Sequence, residues 1–327
     1  MDVKPKILLT RVLLQQGMRV LREQFDLDVN PDDRVMPGAQ VKSRIQDKEG
    51  LACLLTDNID ADIIDNAPHL KVIANYAVGF NNIDVAAATK RKIPVTNTPD
   101  VLTETTADLT MGLLVSVARR IVEADKFLRA GSFKGWAPEL LVGSDVYGKV
   151  LGIIGFGRIG RAVARRAQGF SMTVIYNDAA RLSGKIEKEY GVQYRALSEL
   201  LKEADYVSLH APLKERTRHL ISESEFRVMK KSAYLINVAR GSIVDEKALV
   251  RALEAGKIAG CALDVYESEP EVGPELLNAP NTVLVPHIGS ASIETRTKMA
   301  LMVAQNLIAV LVEGVRPPNV INPVIYT

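Results

Sequence analysis

Cysteine is nearly absent from this sequence: two residues in 327, Cys53 and Cys261. So few exclude a disulfide scaffold, and each lies in an apolar, strand-like run. Two buried thiols in a reducing cytoplasm is therefore a simpler reading than a bridge. An excess of one charge is also lacking, with 41 basic against 39 acidic residues and a formal net of +2. A chain that grips nucleic acid carries a basic excess or a basic stripe; Arg119-Arg120 and Lys230-Lys231 read instead as solvated helix ends. No apolar run reaches the ~18 residues of a membrane span, and the longest, such as 307–312, are core-sized. A signal-peptide pattern is missing, because Met1-Asp2-Val3-Lys4-Pro5 leads straight into Ile7-Leu8-Leu9. What remains, 47% hydrophobic and 24% charged, is ordinary globular composition. At ~150 residues per domain the length suggests roughly two domains. The expectation is a cytoplasmic protein with neither a nucleic-acid nor a membrane partner.

Apolar runs of β type alternate with helical patterns from end to end, the pattern of a parallel α/β sheet. Strands are expected near 7–10, 27–30, 52–56, 72–76 and 95–97, with helices near 20–24, 41–47, 61–66 and 85–90. Pro99 closes this block. A single helical pattern then runs from about Thr103 to Ala130; about 28 residues would span roughly 40 Å, long enough to bridge domains or subunits. An excursion at 131–148 holds the only tryptophan, Trp136. Six further strands are expected near 150–154, 173–176, 206–209, 234–238, 259–264 and 283–285, which suits a dinucleotide-binding sheet. A long amphipathic helix at 292–312 and an extended tail at 319–324 finish the chain.

The strand at 150–154 runs into Gly155-Phe156-Gly157-Arg158-Ile159-Gly160 and then a helical pattern. In G-x-G-x-x-G the first glycine permits the tight turn, the second lets the backbone approach a pyrophosphate, and the third allows close helix–strand packing. The helix N-terminus turns unpaired N–H groups toward the phosphates. The motif alone is weak, but a strand before it and a helix after it are the confirming context. After the next strand stands Asp178, where a carboxylate accepts hydrogen bonds from ribose hydroxyls and repels a 2′-phosphate. NAD is favoured; Arg181, close by, leaves NADP open.

Open α/β sheets bind ligands beyond the carboxyl ends of their strands. Four polar segments follow strands of the second half: His210-Ala211-Pro212, Asn237 to Gly241, Asp264 to Pro270, and Pro286 to Gly289. Of the four histidines, His69 reads as surface, and His219 sits in a connecting segment with no catalytic-looking cluster beside it. His210, followed by Pro212, reads as a turn lining a cofactor. His287 is different, because a carboxylate and an arginine stand at equivalent ends of neighbouring strands. Reduction of a carbonyl by hydride needs a proton for the developing alkoxide, which imidazolium can give. A paired glutamate stabilises that imidazolium, and an arginine can hold a carboxylate bidentately. Arg240, Glu269 and His287 fit those roles.

These residues occur in order with Asn75-Tyr76-Ala77-Val78-Gly79-Phe80-Asn81-Asn82-Ile83-Asp84, Thr98-Pro99-Asp100-Val101-Leu102-Thr103, Thr106-Ala107-Asp108-Leu109 and Asp145-Val146-Tyr147-Gly148-Lys149. Along essentially its whole length the chain resembles the D-isomer-specific 2-hydroxyacid dehydrogenases, and among them the glyoxylate/hydroxypyruvate reductases. The resemblance implies a Rossmann-type NAD-binding domain at 101–289, carrying a dimerisation helix and excursion at 103–148. It implies a discontinuous, flavodoxin-like α/β substrate domain at 1–100 and 290–327, with a cleft between the two. It makes Arg240, Glu269 and His287 the catalytic set. Thr106, Gly155, Gly157, Arg158, Ile159, Gly160, Asp178, Pro212, Val238, Ala239, Arg240, Asp264, His287 and Gly289 would hold the cofactor, Asp264 through the nicotinamide carboxamide. Leu55, Val78, Gly79, Arg240 and His287 would contact a small 2-oxo or 2-hydroxy acid. No metal is implied.

Trp136 has two readings: a buried packing anchor for its loop, or, by the resemblance, a residue set against the neighbouring subunit's substrate site in a homodimer. A short 3-phosphoglycerate dehydrogenase is the rival enzyme, although the loops around Leu55 and Val78 lack the basic side chains a phosphate would want. A phosphite dehydrogenase is disfavoured, since the similar enzyme has lysine where Val78 stands. Similar chains also serve as dinucleotide-sensing corepressors, but the long disordered tails of such recruiters are missing here.

Overall fold

A computed structural model describes residues 3–327. The chain divides into two compact units, one running to Leu102 and resuming over Ala291–Thr327, the other Thr103–Ser290.

In the first unit the order is β1 (Lys6–Leu9), α1 (Gln15–Gln24), β2 (Asp26–Val29), α2 (Gly38–Arg44), β3 (Gly50–Leu54), α3 (Ala61–Asp65), β4 (Val72–Tyr76), α4 (Val85–Lys90) and β5 (Val95–Thr96). The strands pair in parallel in the order β2-β1-β3-β4-β5, the flavodoxin-like arrangement. Their central residues, such as Ile7, Leu8, Leu51, Cys53, Ile73 and Ala74, are buried on both faces, because helices cover both sides of a parallel sheet. Met18 and Leu21 of α1 share one face with Ala300, Val303 and Leu307 of the helix Ile293–Leu311. Val41, Ile63, Ile64 and Ala88 fill the other. Asp60 and Asp84 start α3 and α4, each carboxylate accepting from the N–H of the third residue on, Ile63 and Ala87. The C-terminal tail returns to this sheet. Val320 bridges Thr96, and buried Asn322 accepts from Val95 N and donates to Ile93 O. A 3₁₀ turn over Pro323–Tyr326 then ends what composition reads as simply extended.

The second unit contains α5 (Thr103–Ala118), α6 (Ile121–Arg129), β6 (Val150–Ile154), α7 (Arg158–Gly169), β7 (Thr173–Asn177), α8 (Gly184–Tyr190), β8 (Val192–Tyr194), α9 (Leu197–Glu203), β9 (Tyr206–Leu209), α10 (Glu223–Val228), β10 (Tyr234–Asn237), α11 (Glu246–Glu254), β11 (Gly260–Leu263), α12 (Pro274–Leu277) and β12 (Thr282–Leu284). All seven strands are parallel, in the order β12-β11-β10-β9-β6-β7-β8. The direction of winding reverses between β6 and β9, where Ile154 lies opposite Leu209. That switch point is where doubly wound sheets bind dinucleotides.

Two expectations are corrected here. A seventh strand, β8, extends the sheet edge beyond the six expected. The single helix expected over 103–130 is two helices, broken at Arg120, which adopts a left-handed φ of 52°. The break has a tertiary cause. The Ser144 N–H donates to Ala118 O at 2.8 Å, taking a carbonyl at the end of α5, while Arg120 turns its guanidinium onto Glu123. Among the described residues no helix is long and apolar enough to cross a membrane, and no cluster of His, Cys, Asp and Glu could hold a metal ion. Cys53 and Cys261 are both buried and free; burial pushes the Cys261 thiol up to about 12.

Candidate active site

At the carboxyl end of β6 the chain turns at Gly155, whose φ is +93°. A Cβ there would sit 2.5 Å from Ala211 N and 2.6 Å from His210 C, so the turn tolerates only glycine. At Gly160 a Cβ would fall 2.3 Å from Gly155 O, so α7 packs directly on the turn it leaves. Gly157 is the N-cap of α7; no side chain caps this end, and nothing lies within 4 Å of where its Cβ would be. An uncapped helix start beside open space is what an anionic pyrophosphate needs, and it brings Arg158, Ile159 and Gly160 into the first turn. Asp178, just past β7, is tied to the same loop: its Oδ2 accepts from Phe156 N at 2.7 Å and its Oδ1 from Ala179 N at 2.6 Å. These residues fit a dinucleotide. Arg181 is engaged by Glu187 in a two-point ion pair at 2.9 and 3.0 Å, and the Tyr176 hydroxyl donates to the same carboxylate at 2.9 Å. The arginine and the tyrosine bond together hold the Glu187 carboxyl below its ordinary range.

Beyond β10, the Asn237 side chain folds the next turn, accepting from Ala239 N and donating to Arg240 O. Val238 is buried, and Arg240 donates to Ala239 O at 2.6 Å. Burial works against the Arg240 charge, and Glu269 supports it. Beyond β11, Asp264 is 1% exposed, and its two oxygens accept from Ile288 N at 2.6 Å and Gly289 N at 2.8 Å. Burial raises its carboxyl despite those two bonds. Gly289 O in turn accepts from the buried Thr106 hydroxyl at 3.0 Å. This bracing fixes the turn of His287, whose φ of 52° is unusual for a residue with a Cβ and persists only where surroundings over-determine it.

His287 Nδ1 donates to Glu269 Oε2 at 2.7 Å, and Glu269 Oε1 accepts from Tyr266 N at 2.9 Å. Burial alone would raise the Glu269 carboxyl. The hydrogen bond and charge of His287, the Tyr266 N–H and Arg240 outweigh it and hold that carboxyl below its ordinary range. A glutamate that takes Nδ1–H fixes the ring's orientation and leaves Nε2 for a proton transfer.

The remaining histidines divide differently from their sequence reading. His219 is not isolated: its Nε2 pairs with Glu267 at 3.0 Å, 48 residues away in sequence. His210 is half-buried, with Nε2 on Ser208 Oγ at 2.8 Å and Nδ1 shut away from solvent with no partner among the described residues. Loss of solvent pushes its imidazole down to about 3 from 6.5. Between those values the unfolded chain binds a proton that the folded chain refuses, so acid destabilises the fold by roughly 1.4 kcal/mol per pH unit through this residue. Urea unfolding at pH 6.5 and pH 5 should therefore show His210→Gln losing roughly 2 kcal/mol less than the parent; equal losses would refute it. Pro212 follows, its carbonyl held by the Thr217 hydroxyl at 2.7 Å.

In the first unit, Leu55 follows β3 and is 36% exposed. Val78 and Gly79 follow β4, their carbonyls taken by the side chains of Asn97 and Asn75 at 2.8 Å each. Trp136 is 83% exposed, so within one chain it is no packing anchor.

Sequence comparison bears on this arrangement. Residues 111–289 match the family described as D-isomer specific 2-hydroxyacid dehydrogenase, NAD binding domain. A glyoxylate reductase of Korarchaeum cryptofilum is 51% identical over 98% of this chain and 96% of its own length. That of Thermococcus kodakarensis is 48% identical over 98% and 97%. The chain belongs to the D-isomer specific 2-hydroxyacid dehydrogenase family. Among solved structures, an NADPH-dependent glyoxylate/hydroxypyruvate reductase of Sinorhizobium meliloti, in complex with NADP and malonate, superposes with a TM-score of 0.87 at 34% identity over 97% of each chain. As a family member, the protein is an NAD(P)-binding oxidoreductase acting on a CH–OH donor.

Proposed function

We propose that the protein reduces glyoxylate to glycolate, and hydroxypyruvate to D-glycerate, with Arg240, Glu269 and His287 as its catalytic residues. The observation that carries the reading is the 2.7 Å bond from His287 Nδ1 to Glu269 at the carboxyl ends of the sheet that also bears the glycine loop. Relatives at 48% and 51% identity named glyoxylate reductase support the substrate. When bound, NAD(P)H supplies the hydride to the 2-carbon. His287 gives the carbonyl oxygen its proton from Nε2, while Glu269 keeps the ring oriented and balances its charge. Arg240 pairs with the substrate carboxylate and polarises the adjacent carbonyl. The resemblance gives the N–H groups of Val78 and Gly79 as donors to a substrate carboxylate, and Leu55 as the apolar side chain that favours a small acid.

Steady-state reduction of glyoxylate, hydroxypyruvate, pyruvate and phosphohydroxypyruvate, each with NADH and NADPH, tests the reading. Preference for the first two is expected. Activity confined to phosphohydroxypyruvate would replace it, and no turnover despite tight NADH binding would favour a sensing role.

The cofactor preference is NAD, because Asp178 stands where the ribose hydroxyls bind and Arg181 is occupied by Glu187. Asp178→Ala should weaken NADH binding about tenfold to a hundredfold, the range of a hydrogen bond to a charged group, and NADPH binding far less. Fluorescence titration of both nucleotides measures this, and an unchanged NADH-to-NADPH ratio would remove Asp178 from ribose recognition.

The chain assembles as a homodimer through α6 and the excursion after it. No residue of α6 is buried, and Ile121, Leu128, Phe133, Trp136 and Val142 expose apolar surface there. Trp136 reaches the neighbouring subunit's substrate site in that dimer. Sedimentation of the parent and Phe133→Ala/Trp136→Ala checks it; a parent that sediments as a monomer is the opposing result. Two free, buried thiols agree with a cytoplasmic location.

A further inference from the structure

The turn that carries Glu269 also carries a second glutamate bound to a second histidine, and neither belongs to the proposed reaction. Glu267 Oε1 accepts from the N–H of Glu246, the first residue of α11, at 2.9 Å. Glu246 answers: its Oε1 accepts from Glu267 N at 2.6 Å. The other oxygen of Glu267 meets His219 Nε2 at 3.0 Å. His219 is itself fixed to the same segment, its N–H donating to Ser242 O at 2.8 Å. Between these bonds the backbones touch, since a Cβ on Gly241 would lie 1.8 Å from Tyr266 C and 2.4 Å from Glu267 N.

The two segments joined this way are the ones that hold Arg240 and Glu269. Arg240 immediately precedes Gly241, and Glu269 lies two residues past Glu267. We propose that Glu267, clasped to Glu246 and backed by His219, is a positioning residue that sets the placement of Glu269, and through it His287, relative to Arg240.

Capping of α11 accounts for only half of the clasp. Asp245, the N-cap, accepts from Ala248 N at 3.0 Å and Glu267 takes the first free N–H, that of Glu246, but the return bond from Glu267 N to the Glu246 side chain satisfies no donor of the helix. Nor is the clasp an economical structural clip. Burial, aided by the charges of Glu267 and Glu269, raises the Glu246 carboxyl, so three carboxylates crowd one turn and oppose each other. Reciprocal carboxylate-to-N–H bonds have short, directional geometry, which a pair of packed aliphatic side chains would lack. What the arrangement secures is register between two turns that end different strands.

The inference rests on the reading of Arg240, Glu269 and His287 as the reacting groups, so His287→Asn is assayed beside it. Glu267→Ala should lower kcat for glyoxylate about tenfold to a hundredfold, the scale of a displacement of about 1 Å at reacting groups. KM for NADH should stay within about twofold, because the glycine loop is untouched. Glu267→Gln keeps an oxygen for Glu246 N and should restore kcat to within about threefold of the parent. A clip that merely stabilised the fold would lower the melting temperature of Glu267→Ala and leave its kcat unchanged below that temperature, which would overturn the proposal. Should Glu267→Ala fail to fold, Glu246→Ala, which removes one of the two reciprocal bonds, is read in its place. It is expected to lose kcat several-fold, and parental kcat would equally overturn the clasp. An inactive His287→Asn beside a fully active Glu267→Ala rejects the clasp alone; an active His287→Asn rejects the reading beneath it.

Discussion

His287→Asn should reduce kcat by about a hundredfold to ten-thousandfold, the usual contribution of a positioned general acid, while NADH binds nearly as before. The asparagine amide can still donate toward Glu269, so the turn keeps a hydrogen-bonded partner there, but no group remains that can release a proton at neutral pH. The turn itself should survive, because its bracing comes from backbone: Ile288 N and Gly289 N on Asp264, and Gly289 O under Thr106. Asparagine also tolerates the left-handed φ of 52° found at this position better than most side chains. Folding and cofactor affinity are thereby separated from proton delivery. Stopped-flow hydride transfer with saturating NADH reads the step directly, and parental turnover in the variant would remove His287 as the acid. Glu269→Gln should fall between variant and parent. It leaves an oxygen to orient the ring but no charge to support the imidazolium, so its loss isolates the electrostatic part of the pair from the geometric part.

Much of this site is legible in the sequence because its parts obey rules that act over short distances. The glycine loop, the strand before it and the helix after it lie within about 20 residues, the span of one βα unit, and each glycine reports a local need. Asp264, Arg240 and His287 stand just past strands, and strand ends are visible from apolar runs alone. What composition hides is whatever depends on a partner distant in the chain. Arg120 breaks the helix over 103–130 with no glycine or proline to announce it; the agent is Ser144, whose N–H takes Ala118 O from an excursion. The strand Val192–Tyr194 has only three residues, one of them Gln193, at the edge of the sheet, too short to reveal a period. His219 reads as solitary because Glu267 is 48 residues on and meets it only once β10 and β11 lie side by side. Trp136 misleads in the opposite sense: a lone tryptophan suggests burial, yet it is 83% exposed.

Gly241→Ala is expected to be the most damaging single methyl addition in the Thr103–Ser290 unit. The added carbon would fall 1.8 Å from Tyr266 C and 2.0 Å from Tyr266 O, both backbone atoms that no rotamer change can move aside. The segments must part by more than 1 Å, and in doing so they lengthen both Glu246–Glu267 bonds and displace Arg240 from Glu269. Overpacking of side chains costs about 1–3 kcal/mol; pressing on backbone at this distance should exceed about 3 kcal/mol, or about 6–12 °C in melting temperature for a unit of this size. Gly169→Ala is the control. Nothing lies within 4 Å of its Cβ position, it ends α7, and its change should stay within about 1 kcal/mol. The informative comparison is then between stability and rate. If Gly241→Ala is assayed at a temperature where it remains folded, kcat should still fall at least tenfold, because the same separation that strains the fold moves the arginine away from the glutamate. A variant that loses 6–12 °C yet turns over like the parent would mean that the two turns can separate without disturbing the reacting groups, and that Arg240 is placed by Asn237 and Ala239 alone.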